Sequence, residues 1–330
     1  MSGGVSGEGE TVALLLTESE VERLLDMPTA LSAVEEVLRQ HGQGQAQNQP
    51  RRRIFAPTGV LHVMAGGMPA WGAMGVKAYA AVKGAVRFVV LLFSTETGEL
   101  LAMLEADHLG RMRTGAASGV ATKYMARPEA GVVGLLGTGR QALTQAQAVC
   151  AVRRVSEVRV WSRDPERRMR FSADAGNLLG CAVRPVESPE QAVTGADILV
   201  TITSAKEPVF DGRLVERGQH LNVAGSNMVQ KREVDDETIR RADRIVVDQI
   251  EDAKLESGDL AGPVGRGVTS WERMRELGEV VCGKVPGRER PDEVTLFKSN
   301  GLAIEDVAAA CKVLERARAQ GVGIEVPFCA

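Results

Sequence analysis

The chain has 330 residues, enough for two domains of ordinary size, each with its own core. A net charge of −3 and the lack of any long basic run argue against nucleic acid as a partner. No stretch approaches the roughly 20 apolar residues needed to cross a bilayer, and MSGGVSGEGE at the start has no apolar signal core and reads as a short disordered tail, so a cytoplasmic protein with no membrane partner is expected.

Leu16 to Gln40 reads as two short helices. Thr17 and Glu20 have capping-box spacing, Leu16 and Val21 suit the accompanying hydrophobic staple, and Pro28 fits the first turn of a second helix ending near Gly42. The polar, glutamine-rich GQGQAQNQP then reads as a loop, and the adjacent Arg51, Arg52 and Arg53 as part of a solvated one. From Val60 to Ala106 the pattern changes to strands: LHVMAGG, GVKAYAAV, FVVLLF and ELLAMLEA, the last two joined by a turn at STETG. This region looks antiparallel rather than βαβ.

Leu109, Met112, Ala116, Val120 and Tyr124 recur at helical spacing, and Gly115, Ala117, Ser118 and Gly119 are small enough for another element to approach closely. The helix runs through Arg127-Pro128 into the apolar strand Val132 to Leu136, so a domain boundary is expected near residue 128. Gly137, Gly139 and Ala142 follow that strand in the order G-x-G-x-x-A. The first glycine permits the tight turn, the second lets a pyrophosphate approach the backbone, and the small third residue lets the next helix pack close. The helix N-terminus would offer free N–H groups and a positive dipole end to the phosphates. Further strands, VRVWSR, AVRPV, ADILVTITS, HLNVAG and RIVVD, alternate with helical stretches, one capped by Asp164 with Pro165 after it, another from Asp235 to Ala242. This alternation predicts an α/β chain with a Rossmann-type doubly wound parallel sheet. The last helix, Ala303 to Gln320, has apolar positions at Val307, Ala310, Cys311 and Leu314 and is expected to pack back on the N-terminal region.

In a dinucleotide fold the end of the second strand selects the cofactor. A carboxylate there accepts from the ribose hydroxyls, whereas a small polar residue with arginines nearby accommodates an extra phosphate. Here Trp161 is followed by Ser162 and Arg163, with Arg167 and Arg168 in the next turn, and Asp164 is assigned to the helix cap. NADP(H) is therefore favoured, with NAD(H) possible. The five cysteines, Cys150, Cys181, Cys282, Cys311 and Cys329, have no C-x-x-C spacing, which fits buried or idle thiols in a reducing cytoplasm and no metal site.

GVKAY at 75–79, RTGAASGVATKYMARP at 113–128, GTGRQA at 137–142, the WSR strand end, LNVAGSN with KREVDDE at 221–237, and DEVTLFKSNGLAIEDVAAA at 292–310 together resemble the ornithine cyclodeaminase/mu-crystallin family over nearly the whole chain. The resemblance implies a homodimer with a mixed, β-rich substrate-binding and dimerisation domain at 1–128, onto which 303–330 packs back, and a Rossmann NAD(P)-binding domain at 129–302. It implies that Arg52, Lys77 and Arg113 bind the carboxylate of an amino or imino acid; a one-residue slip would put Arg51 or Arg53 in place of Arg52. Two guanidinium forks can hold a carboxylate in fixed geometry, and a lysine within GVKAY is costly to bury without an anionic partner. Lys77 could also supply a proton or stabilise charge at the imine nitrogen, making Lys77 and Arg113 the candidate catalytic residues.

The same resemblance places Gly137, Thr138, Gly139, Arg140, Gln141, Ala142, Ser162, Arg163, Thr203, Ser204, Val223, Ser299 and Gly301 at the cofactor, with Lys298 and Asn300 in the segment near the nicotinamide. Ornithine cyclodeaminases carry an aspartate where this chain has Asn227. A carboxamide cannot act as a base, so Asn227 is expected to orient substrate or water. The leading expectation is an NAD(P)H-dependent reductase of small α-imino acids, or an amino-acid dehydrogenase running the reverse oxidation. The alternatives are an ornithine cyclodeaminase and, from another class, a nucleotide-liganded small-molecule binding protein of the mu-crystallin kind.

Overall fold

The structure, a computed structural model, describes residues 12–328; the N-terminal tail and Cys329 lie outside them. β1 (Val12–Leu16) leads into α1 (Glu18–Leu24) and α2 (Met27–Gly42). The caps are local: the Thr17 N–H donates to Glu20 at 2.8 Å, as the capping-box spacing predicts, and Asp26 caps α2 by accepting from the Thr29 N–H at 2.9 Å.

Four long antiparallel strands follow: β2 (Gln47–Ala56), β3 (Gly59–Met68), β4 (Ala73–Val82) and β5 (Ala85–Ser94). The glutamine-rich segment and its arginines, expected as a loop, thus lie largely in β2. This strand sits at the sheet edge and pairs only with β3, so its outer residues have no need to be apolar. β6 (Leu100–Glu105) and the C-terminal β15 (Ile324–Pro327) complete a seven-stranded mixed sheet in the order β15-β1-β6-β5-β4-β3-β2, in which β1 and β6 run parallel.

α3 (Asp107–Met125) carries the chain to a second sheet. Its strands are β7 (Val132–Leu136), β8 (Glu157–Trp161), β9 (Ala182–Pro185), β10 (Ile198–Thr201), β11 (His220–Val223), β12 (Arg244–Val247), β13 (Met274–Glu276) and β14 (Thr295–Lys298). The helices between them are α4 (Ala142–Val152), α5 (Pro165–Leu179), α6 (Pro189–Val193), α7 (Asp236–Arg241), α8 (Ile250–Glu256), α9 (Gly258–Gly265) and α10 (Leu277–Val281). The order β13-β12-β14-β11-β10-β7-β8-β9 is parallel throughout and reverses direction between β7 and β10. Ligands of such sheets bind beyond the carboxyl ends of the strands at that reversal.

Two features position the site. β14 is inserted between β11 and β12, so Val223, Lys298 and Val247 stand level and the residues after them emerge side by side. α11 (Ala303–Gln320) then crosses to the first sheet, where a Cβ on Gly66 of β3 would lie 2.8 Å from Ile304 and one on Gly75 of β4 would lie 3.0 Å from Val307. The start of α11 is thereby packed on β3 and β4.

α3 and α4 cross where the sequence of small residues lets them. A Cβ on Gly115 would lie 2.4 Å from the Thr144 carbonyl oxygen. Gly115→Ala is expected to destabilise the fold by about 1–3 kcal/mol through this overpacking. Gly176→Ala on α5, where nothing lies within 4 Å, is expected to stabilise it by about 0.5–1 kcal/mol. Denaturant unfolding of the two variants checks the pair; equal midpoints would refute the crossing argument.

Candidate functional site

Two concavities meet at the loop between β7 and α4. A cleft of about 740 Å³ is lined by Gly137, Thr138 and Gly139 with Ser162, Arg163, Thr203 and Ser204. Gly137 has φ +118°, and a Cβ there would strike the Ile202 carbonyl oxygen at 2.4 Å. A Cβ on Gly139 would meet nothing within 4 Å, so the backbone stands open to a ligand. Ala142 is fully buried beneath the loop rather than in the cleft, as its packing role requires. These residues fit a dinucleotide: a glycine turn with open space above it, at the carboxyl ends of β7, β8 and β10.

At the far end of the cleft, Asp164 caps α5 by accepting from the Arg167 N–H at 3.1 Å, while Arg163 and Arg167 are exposed at the wall. Lys206 and Glu207 complete that wall. Arg168, expected beside them, is instead buried, donating to Ser162 O at 3.2 Å and pairing with Glu187 at 2.5 Å. It fixes the strand end from behind.

The second concavity, about 320 Å³, lies between the two sheets and is lined by Arg51, Lys77, Arg113, Arg140, Gln141, Asn227, Ser299, Asn300 and Gly301. Arg52 is not among them. Between the pairs Gln49–Ala65 and Arg52–Val63, the two residues Pro50 and Arg51 face the single residue Met64, so β2 carries a bulge. The bulge turns Arg51 inward and leaves Arg52 exposed. Arg51 pairs with Glu256 at 2.7 Å and donates to Asn300 O at 3.0 Å, while Arg53 bridges Glu256 and Asn227 O, both at 2.9 Å.

Lys77 and Arg113 are buried and share one anion. Lys77 Nζ lies 2.6 Å from Asp306 Oδ1, which also accepts from Arg113 Nε at 3.0 Å; Arg113 Nη1 reaches Glu305 at 2.9 Å. Burial lowers the Lys77 pKa to about 8 against the pull of Asp306. Burial also opposes the charge on Arg113, yet Asp306 and Glu305 hold its pKa above the ordinary arginine value. Burial pushes Glu305 up to about 8 despite Arg113. Glu305 and Asp306 were legible only as the start of a helix; the signal available was two adjacent acids inside an otherwise apolar run.

Tyr79 and Phe88 add aromatic surface to the wall. His62, Tyr79 and Phe88 stack with centroids 4.2 and 5.0 Å apart, and both Lys77 Nζ (5.5 Å) and Arg140 Cζ (6.0 Å) lie over the Phe88 ring. Asp107, the one carboxylate on this cavity's wall among the described residues, forms ion pairs with Arg140 and Arg111.

Two residues expected at the cofactor lie beneath the floor. Val223 is fully buried as the last residue of β11, and Ala224 and Gly225 reach the cavity instead. Lys298 is also fully buried, donating to Ser226 O at 2.6 Å and pairing with Asp259 at 3.2 Å, so it braces the Asn227 loop from below. Glu233, from the KREVDDE motif, ties that loop to the cleft by accepting from the N–H groups of Thr203 at 2.6 Å and Gly225 at 2.7 Å.

Known proteins share this fold. A Delta(1)-pyrroline-2-carboxylate reductase of Bacillus cereus is 38% identical over 264 residues, 78% of this chain and 81% of that one. The structure of Thermococcus litoralis Delta(1)-pyrroline-2-carboxylate reductase in complex with NADH and L-proline matches with a TM-score of 0.90 and 36% identity, covering 95% of this chain and all of that one. An archaeal alanine dehydrogenase dimer with bound NAD matches with a TM-score of 0.91 and 35% identity over 96% of this chain and 99% of its own. Residues 11–321 match the model of one family, and the chain belongs to it: the ornithine cyclodeaminase/mu-crystallin family.

Proposed function

We propose that the protein is an NADPH-dependent reductase of small α-imino acids, with Arg51, Lys77 and Arg113 holding the carboxylate. The observation that carries this reading is the convergence of three buried cations on one cavity adjoining the glycine loop. Relatives named for reduction of a cyclic imino acid and for oxidation of alanine support it.

The cofactor, when bound, supplies the hydride. The chain's own residues do the rest. Arg51 is braced by Glu256 and Asn300 O, and Arg113 by Glu305 and Asp306, so both forks are oriented before a carboxylate arrives. Lys77 holds a proton at Nζ near neutral pH, available to stabilise the imine nitrogen or replenish its proton. Tyr79 and Phe88 flank the cavity with low-polarity surface that strengthens these interactions.

The cyclodeaminase alternative requires oxidation, attack by a second amine, loss of ammonia and return of the hydride, with several proton transfers in one closed site. Asn227 accepts no proton, and Asp107 is already paired with Arg140 and Arg111. The expected outcome is NADPH-dependent reduction of cyclic or linear α-imino acids with no ammonia release from ornithine. Proline and ammonia from ornithine without NADPH consumption would overturn this reading.

Ser162 with Arg163 and Arg167 at the cleft wall supports a preference for NADPH over NADH. Arg163→Ala is expected to lose much of that preference, read as the ratio of the two dissociation constants. Equal constants in the unaltered protein would refute the assignment.

Lys77→Met is expected to keep NADPH binding and lower turnover by on the order of a hundredfold. Because kcat/KM reports the free enzyme, its profile for reduction is expected to fall as pH rises through about 8, where Lys77 loses its proton, and the variant is expected to lack that limb. Arg51→Ala is expected to cost on the order of a hundredfold in kcat/KM, as for truncating one partner of a buried charge pair, and Arg52→Ala less than about twofold. The reverse order would return the carboxylate to Arg52.

A further inference from the structure

Asp248 follows β12, is 1% exposed, and its carboxylate faces a single turn. Its Oδ2 accepts from the Asn300 N–H at 2.7 Å, the Gly301 N–H at 2.5 Å and the Ser299 hydroxyl at 3.3 Å, while Oδ1 accepts from the Asn300 N–H at 3.0 Å. The insertion of β14 beside β12 brings these groups together from 51 to 53 residues apart in sequence.

The turn so held touches both arginines of the cavity. The Asn300 carbonyl oxygen accepts from Arg51 Nη2 at 3.0 Å. Gly301 has φ +85°, and a Cβ on it would lie 2.4 Å from Arg113 Nη1, so its bare backbone rests against that guanidinium. The turn also leads directly into α11, whose Asp306 pairs with both Arg113 and Lys77 and whose Glu305 accepts from Arg113.

We propose that Asp248 is the positioning residue that aims Arg51 and Arg113 at the substrate carboxylate, an inference that rests on those cations forming the carboxylate clamp. A charged group this deep is costly, and the contacts that satisfy it are the donors of this turn. Asparagine would keep one accepting oxygen but set an NH₂ donor where Oδ1 accepts from the Asn300 N–H, so the turn would be held less firmly. Asp248 acts through the arginines and does not line the cavity itself.

The test compares two imines that differ only in the carboxylate: Δ1-pyrroline-2-carboxylate and Δ1-pyrroline. Asp248→Asn is expected to lower the ratio of their kcat/KM values by about tenfold or more, with NADPH dissociation constants within about twofold of the unaltered protein. A merely structural residue would depress both substrates alike and leave the ratio unchanged, which overturns the proposal. If Asp248→Asn fails to fold, Ser299→Ala removes one donor and keeps the backbone bonds; it is expected to lower the same ratio by about twofold, and an unchanged ratio again overturns the proposal.

NMR of the Arg51 and Arg113 guanidinium groups reads the same effect without turnover. Their restricted rotation is expected in the unaltered protein and relaxed in the variant; unchanged signals overturn the proposal whatever the substrate. Should neither imine be reduced by the unaltered protein, the reductase reading fails and the guanidinium signals alone judge Asp248.

Discussion

The whole site depends on burying opposite charges where the two sheets meet. Lys77 comes from β4, Arg113 from α3, and Glu305 with Asp306 from the first turn of α11, and all four are removed from water. An isolated ion there would not stay charged; a pair or triad does so only with good geometry and satisfied hydrogen bonds. The arrangement therefore sets the position of α11 against the first sheet together with the contacts of Ile304 and Val307. It also explains why a C-terminal helix belongs to the N-terminal sheet.

That constraint is met by strand order. Had β14 paired outside β12, Ser299 to Gly301 would not emerge beside Asp248, and the turn into α11 would have no buried acceptor. The same row of strand ends carries Thr201 and Val223, after which Thr203 and Gly225 are tied together by Glu233. Burial raises the Glu233 pKa, while the Thr203 N–H and hydroxyl and the charge of Lys298 oppose that rise. One sheet edge thus positions the cofactor cleft and the floor of the cavity through backbone amides donating to buried carboxylates.

Local signals were legible and long-range ones were not. The glycine loop, the caps at Thr17 and Asp164, and the period of α3 depend on neighbours in sequence, and each stands where its residues place it. The resemblance pointed to Arg52 with a slip to Arg51 or Arg53 left open, and the bulge is what turns Arg51 into the cavity; Pro50, which has no N–H to give the ladder, was the cue available. β2 read as a loop because an edge strand can be rich in glutamine and arginine, its pairing being supplied by β3. Val223 and Lys298 carry motif residues yet lie beneath the cavity, since a motif records which residues recur together and not which face they present. Asp248 had no local signal, its partners lying on a strand inserted much later in the chain.

The charges of the cavity also bear on what it excludes. Lys77, Arg113 and Arg51 each have an acidic partner outside the cavity wall, so in the proposed reading a carboxylate would meet cations whose direction is already set. An entering ammonium group at the far end of a substrate would instead need a free acceptor. Asp107 is the carboxylate on that wall, and two arginines already occupy it; Asn227 offers a neutral amide, and its backbone oxygen is taken by Arg53. Tyr79 and Phe88 also line the cavity, but Lys77 and Arg140 already lie over the Phe88 ring. In the reading proposed above, the pairing present before the substrate enters leaves such an ammonium only neutral acceptors, among them the unpartnered side-chain oxygens of Asn300 and Gln141, which favours compact imino acids whose one obligatory charge is the carboxylate.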